Sequence, residues 1–199
     1  MVKQTPLQGI APALIEIRAS RMLPGQIGLF AVRNLKKDTV IARNEWFGER
    51  FLGWECYRTL DRKTKARVRK FCVQTDAGFH APPDFNRLIV PWHINHSCAY
   101  NVGFDAFDNF VTVRVVRADE ELCWDYGMAM SYSRFRLRCA CGSPVCRKVI
   151  TGNDWKNPDY VAKNRKYFLR ELLRKADTGA YHIPRYEVLA MARINAALG

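Results

Sequence analysis

The fold is decided by the stretch Asn95-His96-Ser97-Cys98-Ala99-Tyr100-Asn101, followed further along the chain by Glu121-Leu122-Cys123-Trp124-Asp125-Tyr126. The first stretch is rich in short polar side chains that hydrogen-bond the backbone, which is typical of a loop. The second is a short apolar strand that runs into an Asp-Tyr-Gly turn. A lone histidine such as His96 is more often structural than catalytic, so the interpretation depends on the motifs around it.

The composition indicates a globular and strongly basic chain. Of the 199 residues, 48% are hydrophobic, which suits one domain or one domain with a small appendage. Lys and Arg number 32 against 19 Asp and Glu, a net charge of +13. This charge favours contact with nucleic acid or a nucleosome through the basic surface; the alternative is a solvated face without a partner.

The beginning of the sequence contains no long apolar run. We therefore expect no signal peptide, no membrane span and no membrane partner. The expected location is intracellular, which means the nucleus and chromatin in a eukaryote or the cytoplasm in a bacterium.

The hydrophobic pattern predicts a β-rich body of about 150 residues with a helical tail of about 50. Strands are expected near residues 14–18, 29–32, 40–42, 88–90 and 110–116, with a turn over 105–109. Helices are expected over 54–71, over 160–175 up to an interruption at Gly179, and over 185–198, whereas 78–86 is expected to be loop. No Gly-x-Gly-x-x-Gly follows a strand, so a Rossmann-type fold has no support.

Three cysteines lie close together, at Cys139, Cys141 and Cys146, around a Gly-Ser-Pro turn. A structural tetrahedral zinc site is closed by four ligands, so a fourth thiol has to come from elsewhere. Cys98 is the best candidate because it lies in the polar loop. The alternative is a set of ordinary reduced cysteines.

The other cysteines have a different environment. Cys72 and Cys123 have apolar neighbours and are expected in the core, and the same holds more weakly for Cys56. Arg138 and Arg147 flank the proposed metal cluster and are expected to offset the negative charge of four thiolates.

Taken in order, the motifs resemble the SET-domain protein lysine methyltransferases that carry a zinc-binding post-SET segment. The matching motifs are Asn-His-Ser-Cys-x-x-Asn at 95–101, Glu-Glu-Leu-x-x-Asp-Tyr-Gly at 120–127 and Cys-x-Cys-x-x-x-x-Cys-Arg at 139–147. Upstream, residues 25–31 resemble the Gly-rich cofactor turn of that family, and residues 45–49 resemble its Glu-Tyr-x-Gly-Glu segment. Five short motifs in the same order, over about residues 14–150, are improbable by chance.

The resemblance implies a mainly β fold with some α-helix, built from small curved β-sheets. In this SET fold the 95–98 segment is threaded under the loop that carries Asp125 and Tyr126, which gives a knot-like C-terminal segment. The implied divisions are a SET domain at 14–130 with a variable insert at 54–87 that shapes the peptide groove, a post-SET zinc-binding segment at 131–150 and a helical C-terminal extension at 151–199.

The resemblance also assigns the site residues. The cofactor S-adenosylmethionine is expected against Gly28, Leu29, Phe30, Asn95, His96 and Tyr126, and zinc against Cys98, Cys139, Cys141 and Cys146. Tyr126 matches the catalytic tyrosine, whose hydroxyl orients the lysine amine; an unperturbed phenol has too high a pKa to act as a general base. Trp46 and Trp124 match positions that line the substrate channel.

The sequence departs from the family at several of these positions. Trp46 and Trp124 stand where the family has smaller aromatic residues, Trp92 where many members have Arg, and Asp119 where a turn Gly is common. The two glycines of the cofactor turn are spaced Gly-x-x-Gly instead of Gly-x-Gly. Loss of a hydroxyl in the channel favours higher methylation and added bulk favours monomethylation; we expect low methylation states.

The expected function is S-adenosylmethionine-dependent protein-lysine N-methylation by a monomer. The expected substrate is a histone tail or another basic protein, provided that Asp105, Asp108, Asp119 and Glu120 collect at the groove. One alternative is a catalytically weak or inactive SET-like module that binds chromatin or nucleic acid. Another is a nucleic-acid-binding protein that is stabilised by zinc and carries out no methyl transfer. The tail is expected to pack on the body, or else to bind DNA or a partner through Lys163, Arg165, Lys166, Arg170, Arg174 and Lys175.

Overall fold

A computed structural model describes residues 13–44, 50–82 and 84–180. Three small β-sheets make up much of the fold. The largest sheet follows the order β1 (Ile15–Ala19), β2 (Ile27–Ala31), β10 (Glu121–Trp124), β8 (Val102–Phe104), β9 (Phe110–Thr112) and β3 (Val40–Ala42), and β7 (Asn95–His96) also pairs with β10. A second sheet has the order β4 (Arg50–Gly53), β6 (Gly78–Ala81) and β5 (Val73–Gln74), and β11 (Arg136–Arg138) pairs with β12 (Val149–Thr151). The mainly β class expected from the sequence is confirmed.

Strand β10 is the centre of the largest sheet. It pairs antiparallel with β2 and parallel with both β7 and β8, so that Asn95 lies opposite Cys123 and His96 opposite Trp124. The buried Asn101 side chain fixes this arrangement, because its amide nitrogen donates to the Glu121 carbonyl and its amide oxygen accepts the Cys123 N–H. The 95–101 segment therefore lies along β10.

The predicted helix over 54–71 is two helices, α1 (Trp54–Thr59) and α2 (Arg62–Phe71). The break occurs because the Asp61 carboxylate accepts the N–H groups of Lys63 and Thr64 and so starts a new helix.

The tail helix predicted over 160–175 is also divided, into α3 (Pro158–Asn164) and α4 (Arg170–Thr178). Between them Phe168 and Leu169 enter the core, and the Leu169 N–H donates to the Met128 carbonyl instead of continuing a helix. Helix α4 ends before Gly179, where the sequence predicted an interruption. The helix predicted over 185–198 lies outside the described residues.

The loop prediction for 78–81 and the strand prediction for 88–90 were wrong. Residues 78–86 were expected to be loop, but Gly78–Ala81 form β6, and a side chain at Gly78 would lie 2.3 Å from the Leu52 carbonyl oxygen of the neighbouring strand. Residues 88–90 were expected to be extended, but the chain there enters a short 3-10 helix at Val90–His93, because Pro91 has no N–H to donate to a ladder.

One large hydrophobic core includes the tail. Side chains from the central sheet, such as Leu29 and Leu122, share this core with Val161, Phe168, Leu169 and Leu172 of the tail. The packing role expected for the tail is therefore observed over its described part. None of the described helices has both the length and the apolar character needed to cross a membrane.

We expect Leu172→Ala to lower the free energy of unfolding by about 2–5 kcal/mol, because Leu172 is 1% exposed and its loss leaves a cavity in the shared core. Urea denaturation followed by tryptophan fluorescence measures this change. Val115→Ala is the control, since Val115 is 60% exposed and its replacement should change stability by less than about 0.5 kcal/mol. A separate early transition for the tail would contradict the shared core.

Candidate active site and thiol cluster

Tyr126 lies two residues after the end of β10, at the start of a short 3-10 helix. Its hydroxyl donates to the Ile94 carbonyl at 3.1 Å, and its ring lies 4.7 Å from the Trp124 ring and 5.2 Å from the His96 ring. Burial raises the pKa of the Tyr126 hydroxyl above its ordinary value. The phenol therefore stays protonated, which argues against a role as a general base.

His96 connects Tyr126 with Cys98. Burial lowers the pKa of His96 to about 4, so the imidazole is neutral. Its Nδ1 atom accepts the backbone N–H of Tyr126 at 3.2 Å, which leaves the proton on Nε2, 3.6 Å from the Cys98 sulfur. The 3.8 Å approach of Nδ1 to Asp125 is accordingly no ion pair.

The four cysteines predicted to bind a metal converge, although they come from distant parts of the chain. The sulfur atoms of Cys98, Cys139, Cys141 and Cys146 all lie within 4.8 Å of one another. The Cys98 and Cys139 sulfurs are 3.9 Å apart, close to the roughly 3.8 Å that four sulfurs at Zn–S distances of about 2.3 Å adopt in a tetrahedron. Cys72 and Cys123 are buried away from the cluster, as expected.

Backbone N–H groups point at the thiols of the cluster. Arg147 donates to the Cys98 sulfur at 3.3 Å, and Lys148 donates to the Cys146 sulfur at 3.4 Å. Burial opposes ionisation of Cys141, but backbone hydrogen bonds from Cys98 and Ser143, together with side-chain hydrogen bonds of Cys139 and Ser97, outweigh it and lower the pKa of Cys141 to about 6. Such donors stabilise thiolates, so the donor set fits a soft divalent cation such as zinc.

The Arg147 side chain has a further role beside the one predicted. Burial raises the pKa of Cys98 and the nearby positive charge of Arg147 opposes this rise, while the guanidinium also forms two hydrogen bonds of 2.7 Å to the buried carboxylate of Asp125. Asp125 also accepts the Gly127 N–H, which holds the turn at Tyr126. Because the Arg147 backbone binds Cys98 and its side chain binds Asp125, one residue links the thiol cluster to the candidate catalytic tyrosine.

Two of the predicted cofactor residues, Gly28 and Asn95, lie beside Glu121. Glu121 accepts hydrogen bonds from the Ser20 hydroxyl at 2.8 Å and the Arg21 N–H at 2.9 Å, and so holds the loop that leads into β2. The Asn95 amide nitrogen donates to Glu121 and to the Ile27 carbonyl, which leaves the amide oxygen for a ligand. A side chain at Gly28 would lie 2.3 Å from the Glu121 carboxylate, so a larger residue there would displace the side chain that holds this loop.

Leu29 and Phe30 are buried in β2, which pairs with β1 on one edge and with β10 on the other. Neither the contacts of Glu121 with the loop before β2 nor the pairing of Arg147 with Asp125 was predicted, because these partners lie at no characteristic spacing in the sequence. The position of Glu121 at the start of its motif was the only available signal.

A pocket of about 640 Å³ opens in front of Tyr126. Trp92 and Trp124 line it, and Trp124 is only 4% exposed because it packs against Phe104 and Phe110. Residues of the variable insert and residues 132–137 complete the walls. The other predicted channel residue, Trp46, lies outside the described residues together with the rest of 45–49.

The acidic residues expected at a groove for a basic tail do not line this pocket. Asp108 binds Arg170, Asp119 binds Arg18 and Arg21, and Glu120 binds Arg114. Asp105 accepts the N–H groups of Phe107 and Asn109 within its own turn. These carboxylates are therefore engaged elsewhere on the surface.

We expect Arg147→Gln to lower the free energy of unfolding by about 3 kcal/mol, since it leaves the buried Asp125 carboxylate without its guanidinium partner. Arg138→Gln is the matched control, because Arg138 is an exposed arginine next to the same cysteines and should change stability by less than about 0.5 kcal/mol. Urea denaturation of both variants measures the difference. Equal effects would show that Arg147 acts only as a nearby positive charge.

Comparisons with known proteins agree with this geometry. The family model described as "SET domain" matches residues 26–127, about half of the chain. The chain is 27% identical over 132 residues to histone-lysine N-methyltransferase trr of Drosophila melanogaster, a match that covers 61% of this chain and 5% of that protein.

It is 28% identical over 138 residues to human histone-lysine N-methyltransferase 2D, covering 61% of this chain and 2% of that protein. The chain thus spans only a small part of the length of either relative. The family match includes both β7 and β10, the two strands that position Asn95 and Tyr126. By this match over half of its length, the chain belongs to the SET-domain family.

Proposed function

We propose that this protein is an S-adenosylmethionine-dependent protein-lysine N-methyltransferase. The observation that carries the proposal is the position of Tyr126, which lines a pocket of about 640 Å³ and is held by Asp125, His96 and Ile94. The names of the two relatives support a lysine of a protein as the substrate class.

The proposed cofactor residues are Gly28, Leu29, Phe30, Asn95, His96 and Tyr126. S-adenosylmethionine supplies an activated methyl group when it is bound. Asn95 suits a cofactor amino group, because both protons of its amide nitrogen are used within the protein and its amide oxygen is left to accept a hydrogen bond. Among these six residues only Tyr126 lines the pocket of about 640 Å³, so the size and the aromatic walls of the pocket support a substrate lysine side chain at Tyr126.

The residues of the pocket prepare a lysine amine for transfer. The amine has to be neutral, and apolar walls together with nearby positive charges lower the pKa of an entering lysine. The Tyr126 hydroxyl donates its hydrogen bond to the Ile94 carbonyl. The lone pairs of the hydroxyl oxygen are therefore free to orient the amine. Alignment of this kind contributes several kcal/mol to the reduction of the barrier. The enclosed Trp124 supports low methylation states.

We further propose that the four thiols bind one zinc ion. The convergence of the sulfurs and the N–H groups that point at them support this ligand set. Zinc would fix Cys98, which lies three residues after Asn95, and would therefore hold the cofactor segment in place. Binding would also displace protons, because burial raises the pKa of Cys98 and of Cys139.

We expect Tyr126→Phe to reduce methyl transfer roughly a hundredfold through loss of amine alignment, with a much smaller effect on cofactor affinity because the aromatic ring is retained. Radiolabelled methyl transfer into a mixture of cellular proteins measures the rate, and calorimetry measures S-adenosylmethionine binding. Asn95→Ala is the contrasting variant and should weaken cofactor binding first. Full activity of Tyr126→Phe would refute its catalytic role, and cofactor binding by the wild type without any transfer would favour the inactive SET-like module.

We expect about one zinc ion per chain, and Cys141→Ser should lose most of the metal because a closed site needs all four ligands. Metal content by mass spectrometry measures this. Cys56→Ser is the control, since Cys56 lies outside the cluster. Treatment with a strong chelator should abolish methyl transfer as well, and full activity of a metal-free sample would contradict the proposed link between the zinc and the cofactor segment.

A further inference from the structure

The pocket in front of Tyr126 has a strongly one-sided charge. Its charged lining residues are Arg69 and Lys70 from α2 and Arg134 and Arg136 from the segment before and within β11, and no carboxylate lines it among the described residues. All four side chains belong to exposed residues. A substrate lysine that reaches Tyr126 through this pocket therefore brings its neighbours in the sequence close to cations.

The cations of α2 have no carboxylate partner among the described residues. The helix carries six basic residues between 62 and 70, and none of them forms an ion pair with a carboxylate in the part of the chain that the structure describes. Arg69 contacts the Tyr57 ring at 5.7 Å, and Lys70 contacts the Phe71 ring at 5.5 Å. These ring contacts orient the side chains and leave their positive charge available.

The basic residues of the tail behave in the opposite way. Four of the six cations that the sequence analysis offered as a binding surface are engaged by carboxylates, in the pairs Arg165–Asp177, Lys166–Asp38, Arg170–Asp108 and Lys175–Asp76. The net charge of +13 is thus distributed unevenly, and an uncompensated part of it lies at the pocket.

We propose that the lysine methylated at this site is flanked by acidic residues, whose carboxylates bind Arg69, Lys70, Arg134 and Arg136. The inference rests on the proposed function and specifies which lysines it accepts. A lysine in a strongly basic tail would place like charges beside these cations, with no carboxylate of the described lining to receive them. Acidic neighbours would instead meet complementary charge, which sets specificity and speeds association.

The shape of the pocket favours a peptide over a nucleic acid as the anionic partner. Aromatic residues, including Trp54, Phe71 and Tyr132, alternate with the cations in its walls. A concave apolar site with a few charged groups suits a side chain and its flanking residues, whereas duplex DNA is contacted mainly through phosphates along an extended basic surface.

The test compares three fluorescent peptides that each contain one central lysine. The two residues on each side of this lysine are Glu in the first peptide, Gln in the second and Arg in the third, and the peptides are otherwise identical. Their binding to the full chain is measured by anisotropy with S-adenosylhomocysteine present, at about 0.05 M and about 0.5 M salt. Binding is the primary readout because it reports the preference for flanking residues even if no methyl is transferred. The rate of methyl transfer to each peptide is measured in parallel.

We expect the Glu peptide to bind roughly tenfold more tightly than the Gln peptide, because each exposed ion pair increases the affinity up to about fivefold. This difference in affinity should shrink at high salt, which screens exposed charges. Arg69→Glu combined with Lys70→Glu should reverse the preference towards the Arg peptide. Lys163→Glu combined with Arg174→Glu makes the same change in charge on exposed tail residues outside the pocket and should leave the preference intact.

Three results would overturn the inference. The first is equal binding of the three peptides or preference for the Arg peptide. If methyl transfer is nevertheless observed, this result does not affect the proposed methyltransferase function. The second is a loss of S-adenosylmethionine affinity in the double α2 variant with unchanged peptide preference, which assigns the cations to the cofactor. The third is tighter binding of a short DNA duplex than of the Glu peptide, dependent on Arg69 and Lys70. A preference for the Glu peptide without any methyl transfer would instead support the inference and count against the proposed function.

Discussion

Asp125 is almost completely buried, and both of its carboxylate oxygens bind the guanidinium of Arg147. A carboxylate in this position is unfavourable without a cation, so the segment that carries Arg147 has to return to the end of β10. That return brings Cys146 and its neighbours to Cys98, and it holds the turn that presents Tyr126. The position of the thiol cluster and that of the candidate catalytic tyrosine are consequences of the same ion pair.

Parts of the site whose residues lie close together in the sequence could be predicted, whereas contacts between distant residues could not. The thiol cluster was predictable because three of its members lie within eight residues and a tetrahedral ion requires a fourth. Asp119 also takes the left-handed backbone conformation (φ 68°) of the turn glycine that it replaces. The pairing of Arg147 with Asp125 joins residues 22 positions apart in irregular segments, and no periodicity marks it.

The errors in the fold have a similar origin. Residues 160–175 carry a helical pattern, but tertiary contacts override it where Leu169 donates to Met128. Residues 78–81 look like loop by composition, yet the glycine is needed for the close approach of Leu52 in the adjacent strand. In both cases the partner that decides the conformation is distant in the sequence. Composition gave the net charge correctly but not its location, since carboxylates engage four cations of the described tail but none of the four at the pocket among the described residues.

The shared core has a consequence for how this protein can change over evolutionary time. The residues that match the family end at position 127, yet Leu172 and Phe168 complete the packing around the central sheet. A recombination event that transplanted only the matching segment into another gene would expose this apolar surface and deliver an unstable product. The unit that can be exchanged between proteins therefore includes at least the tail helices α3 and α4, and it is longer than the unit that sequence similarity identifies.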